Sequence, residues 1–241
     1  MKKKVLFLGA SGLVGPDLTP GLEKDYDLRL TDVKPHPAGL PIEHVDVRCY
    51  EQVLEAARGM EAIMNFTVVR DHAVDSYDVN TAGAWHVMKA AAELGIGKVI
   101  HSGPQGLRYV YDHDFGVDDA PAAPGSSAYM LTKWLSAEIC RVFARAHGIQ
   151  TAYFVFNGLG PAPEPAEGPR AAPPFTVVWE DLHHICKLAL EAESIPDDFQ
   201  CFPVLSYRGP GTYTWEKARR ILGFEPTRDW DAFFRRETAK A

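Results

Sequence analysis

The feature that most constrains this chain is its opening, where the apolar run Val5-Leu6-Phe7-Leu8 feeds into a glycine-spaced turn, GASGLVG, over residues 9–15. A nearly continuous apolar run reads as a strand buried on both faces, as in a parallel sheet. A strand that enters a glycine turn and then a helix brings backbone N–H groups and the positive end of the helix dipole to one spot. That arrangement suits a pyrophosphate, and glycine permits its close approach. Gly9, Ser11, Gly12, Leu13, Val14 and Gly15 are therefore candidate cofactor contacts, with a purely structural turn as the alternative. The next strand, LRLTD, ends at Asp32, at the distance where an acid accepts hydrogen bonds from adenosine ribose hydroxyls. A carboxylate there repels a 2′-phosphate, so the expected dinucleotide is NAD rather than NADP. Lys34 is the residue that opposes this reading.

The rest of the first half repeats the rhythm. Helical stretches are expected near 17–24, 50–58, 82–94 and 128–147, and strands near 28–31, 62–68, 98–102 and 151–156. Strands alternating with helices indicate βαβ units and a parallel sheet. The expected fold class is therefore α/β, a Rossmann doubly wound sheet. A chain of 241 residues, 46% of them hydrophobic, can bury one large core. Residues 1–157 are read as the NAD-binding core. Residues 158–241 are read as a small substrate-binding portion carrying the remaining core helices, without an independent second domain. The stretch 158–174 holds too many prolines and glycines for a regular element and reads as a loop or lid. Helices are expected at 180–192 and 213–222, and a short basic helix after Trp230.

Charge narrows the partners. A formal net charge of −7 argues against a general nucleic-acid binder, which needs a basic stripe to release counterions. No apolar run approaches the roughly 20 residues that cross a bilayer, and the opening lysines read as a solvated lead-in to a strand rather than a signal peptide. The four cysteines lie far apart, which fits a reducing cytoplasm. His183 and His184 are adjacent and point to different helix faces, so no metal site is expected.

Tyr129 and Lys133 stand four residues apart in a stretch with helical apolar spacing, which puts both on one face, one turn apart. An ammonium beside a phenol stabilises phenolate and can also hold ribose hydroxyls. The pair can thus move a proton at a carbon while a nicotinamide moves the hydride. A bare YxxxK is a common accident, and its place downstream of a glycine cradle and a ribose acid is what favours chemistry.

With these motifs in order, the sequence resembles the NAD-dependent epimerase/dehydratase family, the extended branch of the short-chain dehydrogenases. GASGLVG, Asp32, Asp46-Val47, MNFTVV, VNTAGAWHVMKAAAELGIGKVIHSG, YMLTK, FNGLGP, VVWEDL and ARRILGFEP follow the family order. The resemblance implies that Asp46 and Val47 border the adenine, that Asn65, Phe66 and Thr67 line the cofactor, and that Asn80 braces the interior beside the site. It also places Asn157 near the substrate. Two departures stand out. Where the family usually has two adjacent hydroxyl residues this chain has Ser102-Gly103, so the catalytic hydroxyl is absent at Gly103 if the register holds, and Ser102 replaces it only through a loop shift. The acidic pair of the dehydratases is replaced by Pro104-Gln105, which disfavours dehydration. Gln105, Tyr109, Tyr111 and His113 are either replacement donors or pocket wall.

The short C-terminal part suggests a substrate smaller than a sugar nucleotide and a likeness to the compact uronate dehydrogenases. The leading expectation is hydride transfer between NAD and a small sugar, sugar acid or polyol, with Tyr129 as acid/base, Lys133 tuning it and Ser102 assisting. If the uronate likeness extends to the substrate, Arg108 or Arg170 is the candidate partner of its carboxylate, with a surface position as the alternative for either. The alternatives are a sugar-nucleotide epimerase with retained NAD and a non-catalytic dinucleotide-binding regulator. A homodimer is expected through the Tyr-Lys helix and the helix before it, with Trp85, Met88, Trp134, Leu135 and Ile139 as its seam or, alternatively, facing the sheet.

Overall fold

The computed structural model describes residues 1–104, 122–164, 170–171, 176–207 and 214–235, with only the backbone of 170, 171, 234 and 235. Its strands are β1 (Lys3–Leu8), β2 (Tyr26–Asp32), β3 (Glu43–His44), β4 (Ala62–Asn65), β5 (Lys98–Pro104), β6 (Gln150–Phe156), β7 (Leu159–Gly160), β8 (Arg170–Ala171), β9 (Val177–Val178), β10 (Phe199–Pro203) and β11 (Phe234–Arg235). The helices are α1 (Gly15–Leu22), α2 (Tyr50–Ala57), α3 (Ala73–Ser76), α4 (Gly83–Leu94), α5 (Ala128–His147), α6 (Trp179–Glu191) and α7 (Glu216–Leu222).

Seven strands form one parallel sheet in the order β10-β6-β5-β4-β1-β2-β3. The chain leaves β1 toward β2 on one side and returns to β4 on the other, which is the doubly wound topology. The carboxyl ends of β1 and β4 flank the switch point where such sheets bind ligands. Alternate residues of each strand serve different faces. Val5, Phe7, Met64, Ile100 and Phe154 pack with α1 and α6, whereas Leu6, Leu8, Ile63, Val99 and Tyr153 pack with α2, α4 and α5. Full burial of each such side chain contributes about 1.5–3 kcal/mol, so both layers are strongly anchored to the sheet.

The segment after residue 157 does not stand apart from this core, because β10 is the edge strand beside β6 and α6 packs in the same layer as α1. Several boundaries differ from the sequence reading. The helix expected from residue 82 begins at Ala73 and passes through a π-helical stretch, Tyr77–Ala82, that holds Asn80 inward. Two residues of the proline-rich stretch at each end form the short pairs β7-β9 and β8-β11, so the stretch is not wholly irregular. The described residues after Trp230 are not helical: residues 231–233 turn, with Phe233 N donating to Trp230 O, and Phe234–Arg235 pairs with β8, while the rest of the expected basic helix lies outside the described residues. The expected dimer seam also divides. Met88 is fully buried in this chain's own core with Ile139 against it, whereas Trp85 is exposed.

Candidate active site

The glycine turn is built by contacts that leave no room for a side chain. Gly9 has φ +86°, and a Cβ there would lie 2.9 Å from Phe66 C and Thr67 N, while a Cβ on Gly15 would lie 2.0 Å from Ala10 O. These two glycines let the turn press against the end of β4 and let α1 start directly beneath it. Gly12 is open by comparison, with only Gly9 O near, at 3.2 Å. Ser11 N donates to Asp32 Oδ2 (3.0 Å), and Lys34 N donates to Oδ1 (3.0 Å), which ties the turn to the end of β2. Each carboxylate oxygen retains a further lone pair. Helix α1 has no side-chain cap on its first turn, so its first N–H groups are available to an anion. The residues present therefore fit a dinucleotide: a glycine cradle with an uncapped helix end, tied to an acid at the end of β2.

Farther along the same strand ends lies a buried polar network. Asn65 Oδ1 accepts from Thr67 N (3.1 Å) and Thr67 Oγ1 (2.7 Å), and Asn65 Nδ2 lies 3.2 Å from His101 Nε2. His101 Nδ1 in turn lies 2.7 Å from Ser102 N. Burial, and then the neighbouring Lys133 charge, hold the His101 ring well below its ordinary pKa. Lys133 is 2% exposed, and its Nζ donates to Thr67 O and Ser102 O, both at 3.1 Å. The two carbonyls that hold the lysine thus belong to the residues that Asn65 and His101 fix. Burial, and next the charge of Arg70, push the Lys133 amine down to about 7.

Asn80 works on the neighbouring loop. Its Oδ1 accepts from Val69 N (3.0 Å), and its Nδ2 donates to Val69 O (2.8 Å) and Thr132 Oγ1 (3.0 Å). These bonds engage the whole amide, and Asn80 does not line the pocket described below.

A pocket of about 180 Å³ brings the two halves together. Its wall includes Leu13 and Val14 from the glycine turn, Phe66 and Arg70 after β4, Ser102, Tyr129, Lys133 and Asn157. Ser102 lines it with β5 as it stands and no loop shift. A side chain at Gly103 would meet Tyr153 Oη at 2.4 Å. That hydroxyl donates to Lys133 O (2.9 Å) and lies 3.0 Å from Ser136 Oγ. The missing hydroxyl at 103 thus reflects a place taken by Tyr153, on the α5 side of the sheet.

Asp46 and Val47 lie outside this pocket. Asp46 is tied to the Arg48 guanidinium, whose hydrogen bonds lower its pKa, and Val47 is buried with its carbonyl 2.6 Å from His86 Nδ1. Gln105, Arg108, Tyr109, Tyr111 and His113 lie outside the described residues, as does the side chain of Arg170. The residue that sequence reasoning missed is Arg70, whose guanidinium sits 5.7 Å from the centroid of the Tyr129 ring.

A doubly wound sheet with a glycine cradle at its switch point and a Tyr-Lys helix beside it defines the extended short-chain dehydrogenase class. The chain belongs to the NAD-dependent epimerase/dehydratase family, whose model matches residues 5–175, and NAD is the cofactor of that family. Solved structures that it is similar to are titled as dehydrogenases and epimerases. Among solved structures, a protein titled mutated uronate dehydrogenase is 20% identical with a TM-score of 0.80, covering 95% of this chain and 84% of its own. Uronate dehydrogenase from Agrobacterium tumefaciens is 19% identical with a TM-score of 0.74, covering 96% and 86%. UDP-glucose 4-epimerase from Thermus thermophilus, solved with NAD, is 16% identical with a TM-score of 0.67, covering 98% and 88%. Among curated proteins, the uncharacterized protein YtbQ of Bacillus subtilis (strain 168) is 30% identical over 121 residues. That match spans 46% of this chain and about half of YtbQ, 48%.

Proposed function

We propose that this chain transfers a hydride between NAD and a hydroxyl-bearing or carbonyl carbon of a small sugar, sugar acid or polyol. The observation that carries the reading is the shared pocket, in which Ser102, Tyr129 and Lys133 meet Leu13 and Val14 of the dinucleotide turn. In the oxidative direction NAD supplies the hydride acceptor, so the substrate loses two electrons and NAD becomes NADH. Tyr129 Oη takes the proton of the substrate hydroxyl in that direction and returns it in the other. Lys133, fixed on two carbonyls, holds charge beside the reacting oxygen, and Ser102 Oγ, which makes no hydrogen bond to any described residue, donates to that oxygen.

The likeness to proteins titled uronate dehydrogenase, over most of both chains, supports a small substrate. Residues 158–241 are proposed to carry the substrate side together with the remaining core helices. No described helix is long and apolar enough to cross a membrane. A cytoplasmic homodimer, with the exposed Trp85 of α4 in its seam, completes the proposal.

The test is absorbance of reduced nicotinamide with NAD and a panel of free sugars, sugar acids, polyols and sugar nucleotides. NADH formation with a small substrate, lost in Tyr129→Phe, is the expected result. Conversion of a sugar nucleotide without net NADH would instead assign an epimerase with retained NAD. NAD binding without turnover of any compound would sink the hydride-transfer reading for that panel.

A further inference from the structure

We propose that Arg70 is the anion-binding residue of this pocket and holds the carboxylate of a small hydroxy-acid substrate beside Tyr129. The inference rests on the oxidoreductase reading above and deepens it, because it selects acids over neutral sugars and polyols.

The backbone fixes where Arg70 stands. After β4 the chain runs on so that Phe66, Val68 and Arg70 all line the pocket, the alternation expected of an extended segment. Val69, the residue between, is clamped: Asn80 engages both its N–H and its carbonyl, and Ser76 Oγ donates to the same carbonyl (3.1 Å). The clamp sets the base of Arg70 while its head stays uncommitted. Arg70 makes no ion pair and no hydrogen bond with any described residue, and among the described residues its one specific contact is the face of Tyr129, 5.7 Å away. A cation over an aromatic face is oriented without using its N–H donors, so the fork remains open toward the pocket.

Charge supports the same assignment. The described lining residues include two cations, Arg70 and Lys133, and no carboxylate, in a chain whose net charge is −7. The positive field at this site is therefore local. Two cations facing one small space repel each other, and a bound anion relieves that repulsion. A planar guanidinium matches a carboxylate through two parallel N–H···O bonds, whereas a neutral polyol gives it no equivalent partner. The ring contact also places the captured group next to Tyr129, so that the carbon carrying the reactive hydroxyl lies within the same small ligand.

The test uses matched ligands, a hexuronate and the hexose that differs from it only in lacking the carboxylate, with the full-length protein. Wild type is expected to prefer the acid. Arg70→Met is expected to raise KM for the acid by about 10- to 100-fold, as for loss of a charged hydrogen bond, and to bring the acid-to-sugar preference toward unity. KM for NAD should stay within about twofold, and Arg70→Lys should recover part of the preference. Calorimetric titration of the NAD-loaded protein with the hexuronate gives a second readout, with binding in wild type and its loss in Arg70→Met. Equal use of acid and sugar, unchanged by Arg70→Met, would overturn the inference and leave the oxidoreductase reading intact. A rise confined to KM for NAD would assign Arg70 to the cofactor phosphates instead, and Arg70-dependent turnover of sugar nucleotides alone would assign it to a diphosphate. If no compound is turned over, the oxidoreductase reading fails, and calorimetry still decides whether Arg70 holds a carboxylate.

Discussion

The floor and the mouth of the pocket treat their polar groups in opposite ways. In the floor and the layer behind it, the amides of Asn65 and Asn80, the Lys133 amine and the Thr132 hydroxyl are all engaged with other groups of the chain. At the mouth, the Tyr129 hydroxyl, the Asn157 amide and the Arg70 guanidinium face the pocket with no hydrogen bond to a described residue. A buried polar group left unpaired destabilises the fold by about 1–3 kcal/mol, so the floor must be completed by the protein itself. Groups near solvent escape that demand, and their free donors and acceptors are what a substrate can meet. The floor is therefore a structural device that holds an ammonium in place, and the mouth is where selectivity resides.

The largest effect expected is at the mouth. Tyr129→Phe should lower kcat by about 10²- to 10⁴-fold with the thermal midpoint nearly unchanged, measured by NADH formation and calorimetry. A comparable fall in stability would show that Tyr129 belongs to the floor. Lys133→Met should do the reverse for stability. Its amine titrates at about 7 in the folded chain against an ordinary 10.5, so between those values the unfolded chain binds a proton that the folded chain does not. Wild-type stability from this group therefore rises with pH across that window, and the full burial penalty applies below it. The variant should unfold later than wild type at pH 6, by up to a few kcal/mol, with the advantage shrinking toward pH 10. A pH-independent difference would break the assignment.

Gly103→Ser is expected to destabilise by about 1–3 kcal/mol through overpacking against Tyr153, seen in urea unfolding, and to lower activity rather than raise it. An increase in activity would mean that position 103 does deliver a hydroxyl to the pocket. The smallest effect is expected from Asn157→Ala, which should raise substrate KM by less than about tenfold and leave stability within roughly 0.5 kcal/mol. A larger stability loss would move Asn157 to the floor.

Much of this was legible because the signals are local. Helix α5 begins and ends where its caps do: Ser127 Oγ accepts from Met130 N, and Gly148 takes a left-handed φ of 65°. The glycine turn and Asp32 were readable for the same reason, since strand, turn and acid are close in sequence. The start of the α3–α4 helical run was missed because a π-helical stretch breaks the 3.6-residue rhythm, and Phe234–Arg235 forms a strand because β8 offers it a partner. Gly103 looked like a lost hydroxyl, when the reason for the glycine lies on another strand.

By itself the sequence determined the parallel α/β architecture, the dinucleotide cradle and the Tyr-Lys helix, because each follows from spacing along a few turns of chain. Only the tertiary structure decided that Tyr153 occupies the space at residue 103, that Asn65 and His101 fix the carbonyls holding Lys133, and that Arg70 faces Tyr129. Those contacts join residues far apart in sequence across the carboxyl ends of β4, β5 and β6. Burial and unmet hydrogen bonds, which spacing does not encode, set which side chains complete one another there.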